Sequence, residues 1–196
     1  MVGRSRLGIA IVLVGLISFV ASSHARDDMA EAEEVARSYM TALFNGDVET
    51  AAKLTHTKTL DELRKKYLKD LDKAKADGRE RQFLKETGVE ADARELQAMS
   101  PYELYVAIMK GSRKMGGEQG KAAQGAEVTV ERSKQIGKDQ ISVSLKAVIS
   151  TGKGPVTKTG GLLLSKDGSA WRVMAGEKKS PPVRQKPANK GTGRVE

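Results

Sequence analysis

The sequence predicts an α+β protein: several helices first, then four antiparallel strands. Three observations carry this. From Gln140 to Ser150, Ile141, Val143, Leu145, Ala147 and Ile149 alternate with Ser142, Ser144 and Lys146, and Val148 is the one lapse. Strict alternation is the mark of a strand with one buried face. Upstream, apolar residues recur at the helical period. Downstream, Lys166-Asp167-Gly168 punctuates two short apolar runs as a hairpin turn does.

The chain opens on Arg4 and Arg6, an uncharged run from Leu7 to Val20, and small residues ending at Ser23 and Ala25. That order is expected of a signal peptide over residues 1–25, cleaved after Ala25, because the apolar run is shorter than the roughly 20 residues a spanning helix needs. The expected location is therefore outside the cytoplasm, periplasmic or extracellular, with no membrane span once cleavage has occurred. Cysteine is absent, which excludes disulfides, thiolate chemistry and cysteine-ligated zinc. Losing Arg4 and Arg6 lowers the net charge from +9 to +7, and residues 177–196 hold +4 of that through six basic and two acidic residues. The body, 26–176, is only mildly basic, so the high isoelectric point does not point to specific nucleic-acid binding. The last twenty residues are rich in Pro, Gly and Lys without apolar period and are expected to be a disordered basic tail.

Asp28–Asn45 carries Ala32, Val35, Ala36, Tyr39, Met40 and Leu43 on one stripe, with Phe44 at its edge. Gly46 suits the left-handed position past a helix, and Asp47 caps a short second helix with Val48, Ala51, Ala52 and Leu54 inside. Thr59 and Glu62 form a capping-box pattern for a third helix, whose stripe is Leu60, Leu63, Tyr67, Leu68 and Leu71. Asp61–Lys65 and Glu62–Lys66 have ion-pair spacing on its wet side. Lys69–Arg81 reads as a solvated, charge-dense face, and the stretch from Phe83 to Met99 as short helices and loops. Ser100-Pro101-Tyr102-Glu103 opens a further helix with Leu104, Tyr105, Ile108 and Met109 on one side. It is expected to stop near Gly111, with Gly111–Gly125 a flexible connector. Within that connector GGEQGK is not a phosphate loop, since its spacing is one residue short and Ala122 stands where a hydroxyl is needed.

Ala126, Val128 and Val130 alternate with Glu127, Thr129 and Glu131 as a first strand. Gly137-Lys138-Asp139 turns into the central strand, and Val156–Ser165 follows as a third. Gly160-Gly161 within it predicts a bulge or bend. Trp171 and Val173 share one face of the fourth strand, turned toward the helix residues Tyr39, Leu43 and Leu104.

Ala36, Tyr39, Ala42, Leu43, Gly46 and Asp47, then Ala51 and Leu54, together with the closing turn and Trp171-Arg172-Val173, resemble the nuclear transport factor two-like superfamily, which includes ketosteroid isomerase-like members. The resemblance spans roughly Ala30–Ala175. It implies a cone, or cystatin-like roll, with helices in the concave face of a curved sheet and a conical pocket. Leu60–Met99 is longer than members usually carry there, and no short strand is evident before Ser100.

Enzymes of that superfamily use inward-facing acids, histidine or tyrosine. Here Glu127 and Glu131 alternate away from the apolar face, and Asp139 and Asp167 fall in turns. The pocket candidates are Tyr39, Tyr105, Trp171 and His56, each with a structural alternative: core tyrosines with satisfied hydroxyls, a core indole, a surface or cap histidine. No catalytic residue, metal ligand or cofactor is assigned. The expectation is an exported, non-catalytic binding or accessory domain for a small apolar ligand or protein partner, able to form a homodimer through the sheet. The alternatives are a small-molecule lyase or isomerase, and a protein held on anionic surfaces by its basic tail.

Overall fold

The structure is a computed structural model that describes residues 8–116, 125–151 and 154–174; of residues 8–25 and 151 the backbone alone is described. Residues 1–7 of the expected signal peptide, the connector residues 117–124 and the expected tail lie outside it. Among the described residues the chain is α+β, six helices packed with one four-stranded antiparallel sheet. The helices are α1 (Gly8–Asn45), α2 (Val48–Leu54), α3 (Thr57–Ala76), α4 (Glu80–Thr87), α5 (Ala93–Ala98) and α6 (Pro101–Met115). The strands are β1 (Glu127–Gly137), β2 (Gln140–Thr151), β3 (Gly154–Asp167) and β4 (Ala170–Met174), in the meander order β1-β2-β3-β4.

The alternation in β2 sets the sheet. Ile141, Val143, Leu145, Ala147 and Ile149 are all buried, and α1 lies against this inner face, touching all four strands. Ala32 and Ala36 are fully buried, and their small side chains let α1 approach the strands. Strand pairing places Val128 and Val130 of β1, Leu162 and Leu164 of β3, and Trp171 and Val173 of β4 on the same side, because directly opposed residues share a face. Ser142 and Ser144 fall on the opposite, half-buried side.

The bulges are in β1. Its register shifts between Val130 and Arg132 and again between Gln135 and Gly137, whereas β3 pairs with β2 without interruption through Gly160 and Gly161. The bulge expected at the paired glycines is therefore absent. Glycine acts there through its missing side chain and not through a special backbone conformation. An irregular β1 suits its place at the sheet's edge, where bulges discourage further pairing. At the opposite edge, Thr55 bridges Val173 in parallel, and the His56 N–H donates to the Val173 carbonyl at 2.9 Å. The α2–α3 junction thereby covers β4.

Helices α3 to α6 pack mainly on one another. Tyr67, Leu71, Val89, Leu96 and Leu104 form a core of their own among α3 to α6, and Ala52, Leu60 and Tyr105 join α2, α3 and α6. Leu104, expected over the strands, instead belongs to this helical core; its stripe is real but its partner is helix. Helix α6 also runs through Gly111 to Met115, correcting the stop expected there. A Cβ on Gly111 would lie 2.6 Å from the Thr87 carbonyl oxygen, so this glycine serves a close crossing of α4 over α6. Arg113 then reaches α1, where its guanidinium donates to the Leu43 carbonyl at 2.8 Å and ties the two cores together.

The caps are mostly where the sequence puts them. Gly46 has φ +79, and the Asp47 carboxylate accepts from the Thr50 N–H at 3.0 Å; the Thr50 hydroxyl first, and then this N–H, hold Asp47 below its ordinary carboxylate range. Ser100 and Glu103 complete their reciprocal box, as do Asp92 and Glu95 at α5. Thr59 is the exception. Helix α3 starts at Thr57 with His56 as its cap, and Thr59 turns inward, its hydroxyl 3.9 Å from the Met174 sulfur. Glu62 accordingly pairs backward with Lys58 at 3.9 Å, and neither ion pair expected from spacing forms. Every buried side-chain nitrogen and oxygen among the described residues has a hydrogen-bond partner.

Candidate functional site: a cavity on the inner face of the sheet

Helix α1 covers the sheet unevenly. Near the β3–β4 turn it packs closely: the Trp171 indole N–H donates to Asp28 at 3.3 Å, and Lys166 holds the same carboxylate at 2.9 Å. Toward its C-terminus the cover thins. The described pairs of β4 run as far as Met174 opposite Leu163, and among the described residues the first part of β3 pairs with β2 alone. There a cavity of about 260 Å³ remains between Met40 and Phe44 of α1, Val128 of β1, Leu145 and Ala147 of β2, and Lys158 to Leu162 of β3.

Glycine makes the space. On the inner phase of β3 the residues are Val156, Lys158, Gly160, Leu162 and Leu164, opposite Ile149, Ala147, Leu145, Val143 and Ile141. Gly160 stands where neighbouring positions carry large side chains, and a Cβ built on it would meet nothing within 4 Å. Lys158 and Gly160 are exposed, so the cavity opens beside β3. Its walls are apolar apart from Lys158, Thr159 and the strand backbone, and Thr159 points to the other face, opposite Lys146. Small-molecule sites have this character: concave, mostly apolar, with few polar groups.

The four residues singled out from sequence lie elsewhere. The Tyr39 and Tyr105 hydroxyls meet at 3.3 Å in the buried junction of α1, α2 and α6. Burial first, then the Tyr105 hydroxyl beside it, pushes the Tyr39 phenol far above its ordinary range. Enclosed and paired with each other, the two hydroxyls form a structural hydrogen bond. Trp171 is 1% exposed, enclosed against α1 with the Lys166 ammonium 5.3 Å from its ring centroid. Hydrogen bonding to Asp28 raises the Lys166 ammonium above its ordinary value.

His56 is a cap. Its Nδ1 accepts from the Lys58 N–H at 3.1 Å, which leaves Nε2–H to donate to the Lys166 carbonyl at 3.3 Å. Both ring nitrogens are thus engaged by backbone in one tautomer. Asp167 supports the same corner by accepting from the Thr57 N–H at 3.0 Å, and that bond is the main cause that holds its carboxyl below the ordinary range.

No family model matches the chain, and no curated protein matches it.

The cavity residues had a signal in the sequence. Lys158 and Gly160 sit on the apolar phase of β3, where a lysine and a glycine interrupt an otherwise aliphatic row. That phase is certain only once β3 is registered against β2. Elsewhere, a hollow of about 440 Å³ between α3 and α6 is bordered by exposed Glu62, Lys66 and Asp70 and is a charged surface trough. Among the described residues no three His, Cys, Asp or Glu side chains gather to hold a metal ion, and no helix is long and apolar enough to cross a membrane.

Proposed function

We propose that this chain is an exported, non-catalytic module of the nuclear transport factor two-like type that binds a small apolar ligand in the cavity between α1 and the sheet. The carrying observation is Gly160, a residue without a side chain on the apolar face of a strand, beside an open apolar hollow. A void that served no purpose would be costly, since cavities forfeit packing contacts. Among the described residues the cavity wall carries aliphatic and aromatic side chains, Lys158 and Thr159 and no acid, histidine or tyrosine, which favours binding over lyase or isomerase chemistry.

Gly160→Leu tests this. Backbone φ at Gly160 is not positive, so a side chain is accommodated without strain and projects into the hollow. Titration of the wild-type protein with 1-octanol by calorimetry should show saturable binding, and Gly160→Leu should weaken it at least about tenfold, or about 1.4 kcal/mol. The thermal midpoint should hold or rise, since leucine suits a strand better than glycine. Equal binding by both proteins, or none by the wild type, rejects the cavity as a site.

Export fits the same reading. Asp28 and Met29, just beyond the expected cleavage point, already contact the sheet layer. Intact-mass measurement on protein recovered from its host should give a chain starting near Arg26; a full-length species retained in membranes would refute export by cleavage.

A further inference from the structure

Lys158 gives the cavity a sign. It lies on the inner phase of β3 between Val156 and Gly160, directly opposite Ala147, and it is the one charged residue on the cavity wall among the described residues. The one other charged residue of β2 and of this part of β3, Lys146, faces the opposite side of the sheet. Lys158 is exposed, and the ion pairs among the described residues leave it without an acidic partner. A lysine stem lies favourably along an apolar wall while its ammonium stays at the rim. The result is an apolar hollow with a single unmatched positive charge at its mouth.

Resting on the cavity reading above, we infer that the ligand is a short amphiphilic anion, a carboxylate on an unbranched hydrocarbon chain, with the chain in the hollow and the carboxylate on Lys158. Size limits the chain: 260 Å³ holds on the order of nine groups of water's size at about 30 Å³ each. Charge selects the head. One ammonium is a compact point charge without the fork that favours phosphate or bidentate recognition, so a single negative charge suffices. Because the pair forms at the rim, in contact with water, it should improve affinity only severalfold and should fade with salt.

The test compares octanoate, 1-octanol and octylammonium, which share a tail and differ in charge. Wild-type protein at low salt should bind octanoate about fivefold tighter than 1-octanol, the upper end for a solvent-accessible pair, and octylammonium more weakly than either. Lys158→Gln should make the affinities for octanoate and 1-octanol equal. Lys146→Gln, which removes the same charge from the other face, should keep the full preference. Salt at about 1 M, where screening acts within about 3 Å, should erase it. If 1-octanol binds but octanoate is no tighter, or if Lys158→Gln and Lys146→Gln act alike, the assignment of an anion to Lys158 fails and the cavity reading stands. If none of the three binds, both fall.

Discussion

Trp171→Ala is expected to lower folding stability by about 3–5 kcal/mol, the usual cost of truncating a large aromatic in a core. Trp171 is 1% exposed and packs within the cluster that joins α1 to all four strands. Its removal leaves a void and strips two neighbours of a partner. Asp28 loses the indole N–H at 3.3 Å, and Lys166 loses the ring beneath its ammonium. Chemical denaturation gives the magnitude. Fluorescence gives an independent check, because an enclosed indole emits to the blue and resists acrylamide until the protein unfolds. Wild-type emission like that of indole in water, with stability unchanged in the variant, would contradict this packing. The cavity lies toward the other end of α1, so ligand affinity measured well below the unfolding midpoint should be nearly unaffected.

A second large effect is expected at Gly111, where two physical arguments give opposite signs. Helix propensity alone predicts that Gly111→Ala stabilises α6 by about 1 kcal/mol. Packing predicts the reverse. The new methyl would lie 2.6 Å from the Thr87 carbonyl oxygen and 2.7 Å from backbone atoms of Gly88. Those are main-chain atoms of the α4 terminus, which cannot rotate aside as a side chain can, and Gly88 is itself held at φ +66. Overpacking of this kind costs about 1–3 kcal/mol and separates the helices further. The net expectation is a loss of up to about 2 kcal/mol, with faster amide exchange in α4 than in the sheet. A rise in the denaturation midpoint would mean that α4 and α6 do not cross this closely.

The sequence determined by itself the kind and order of the elements. The period of two in β2, the stripe of α1, the left-handed Gly46 with its Asp47 cap and the Ser100 box are signals within a few residues of each other, and each appears in the structure. What an amphipathic stripe cannot carry is the identity of the surface that buries it. Leu104 shows this: its face is buried, but among helices instead of against strands. The same limit hid the partners of Tyr39, Tyr105 and His56, namely Tyr105, Tyr39 and Lys166, which lie 66 or 110 residues away. It also hid the cavity. Gly160 in isolation signals backbone freedom; only pairing with Leu145 puts it on the inner face, beside the hollow under α1. Local chemistry fixed which residues turn inward. Registration of distant segments against one another decided what they meet there, because that contact is a property of the folded surface and of no single stretch of chain.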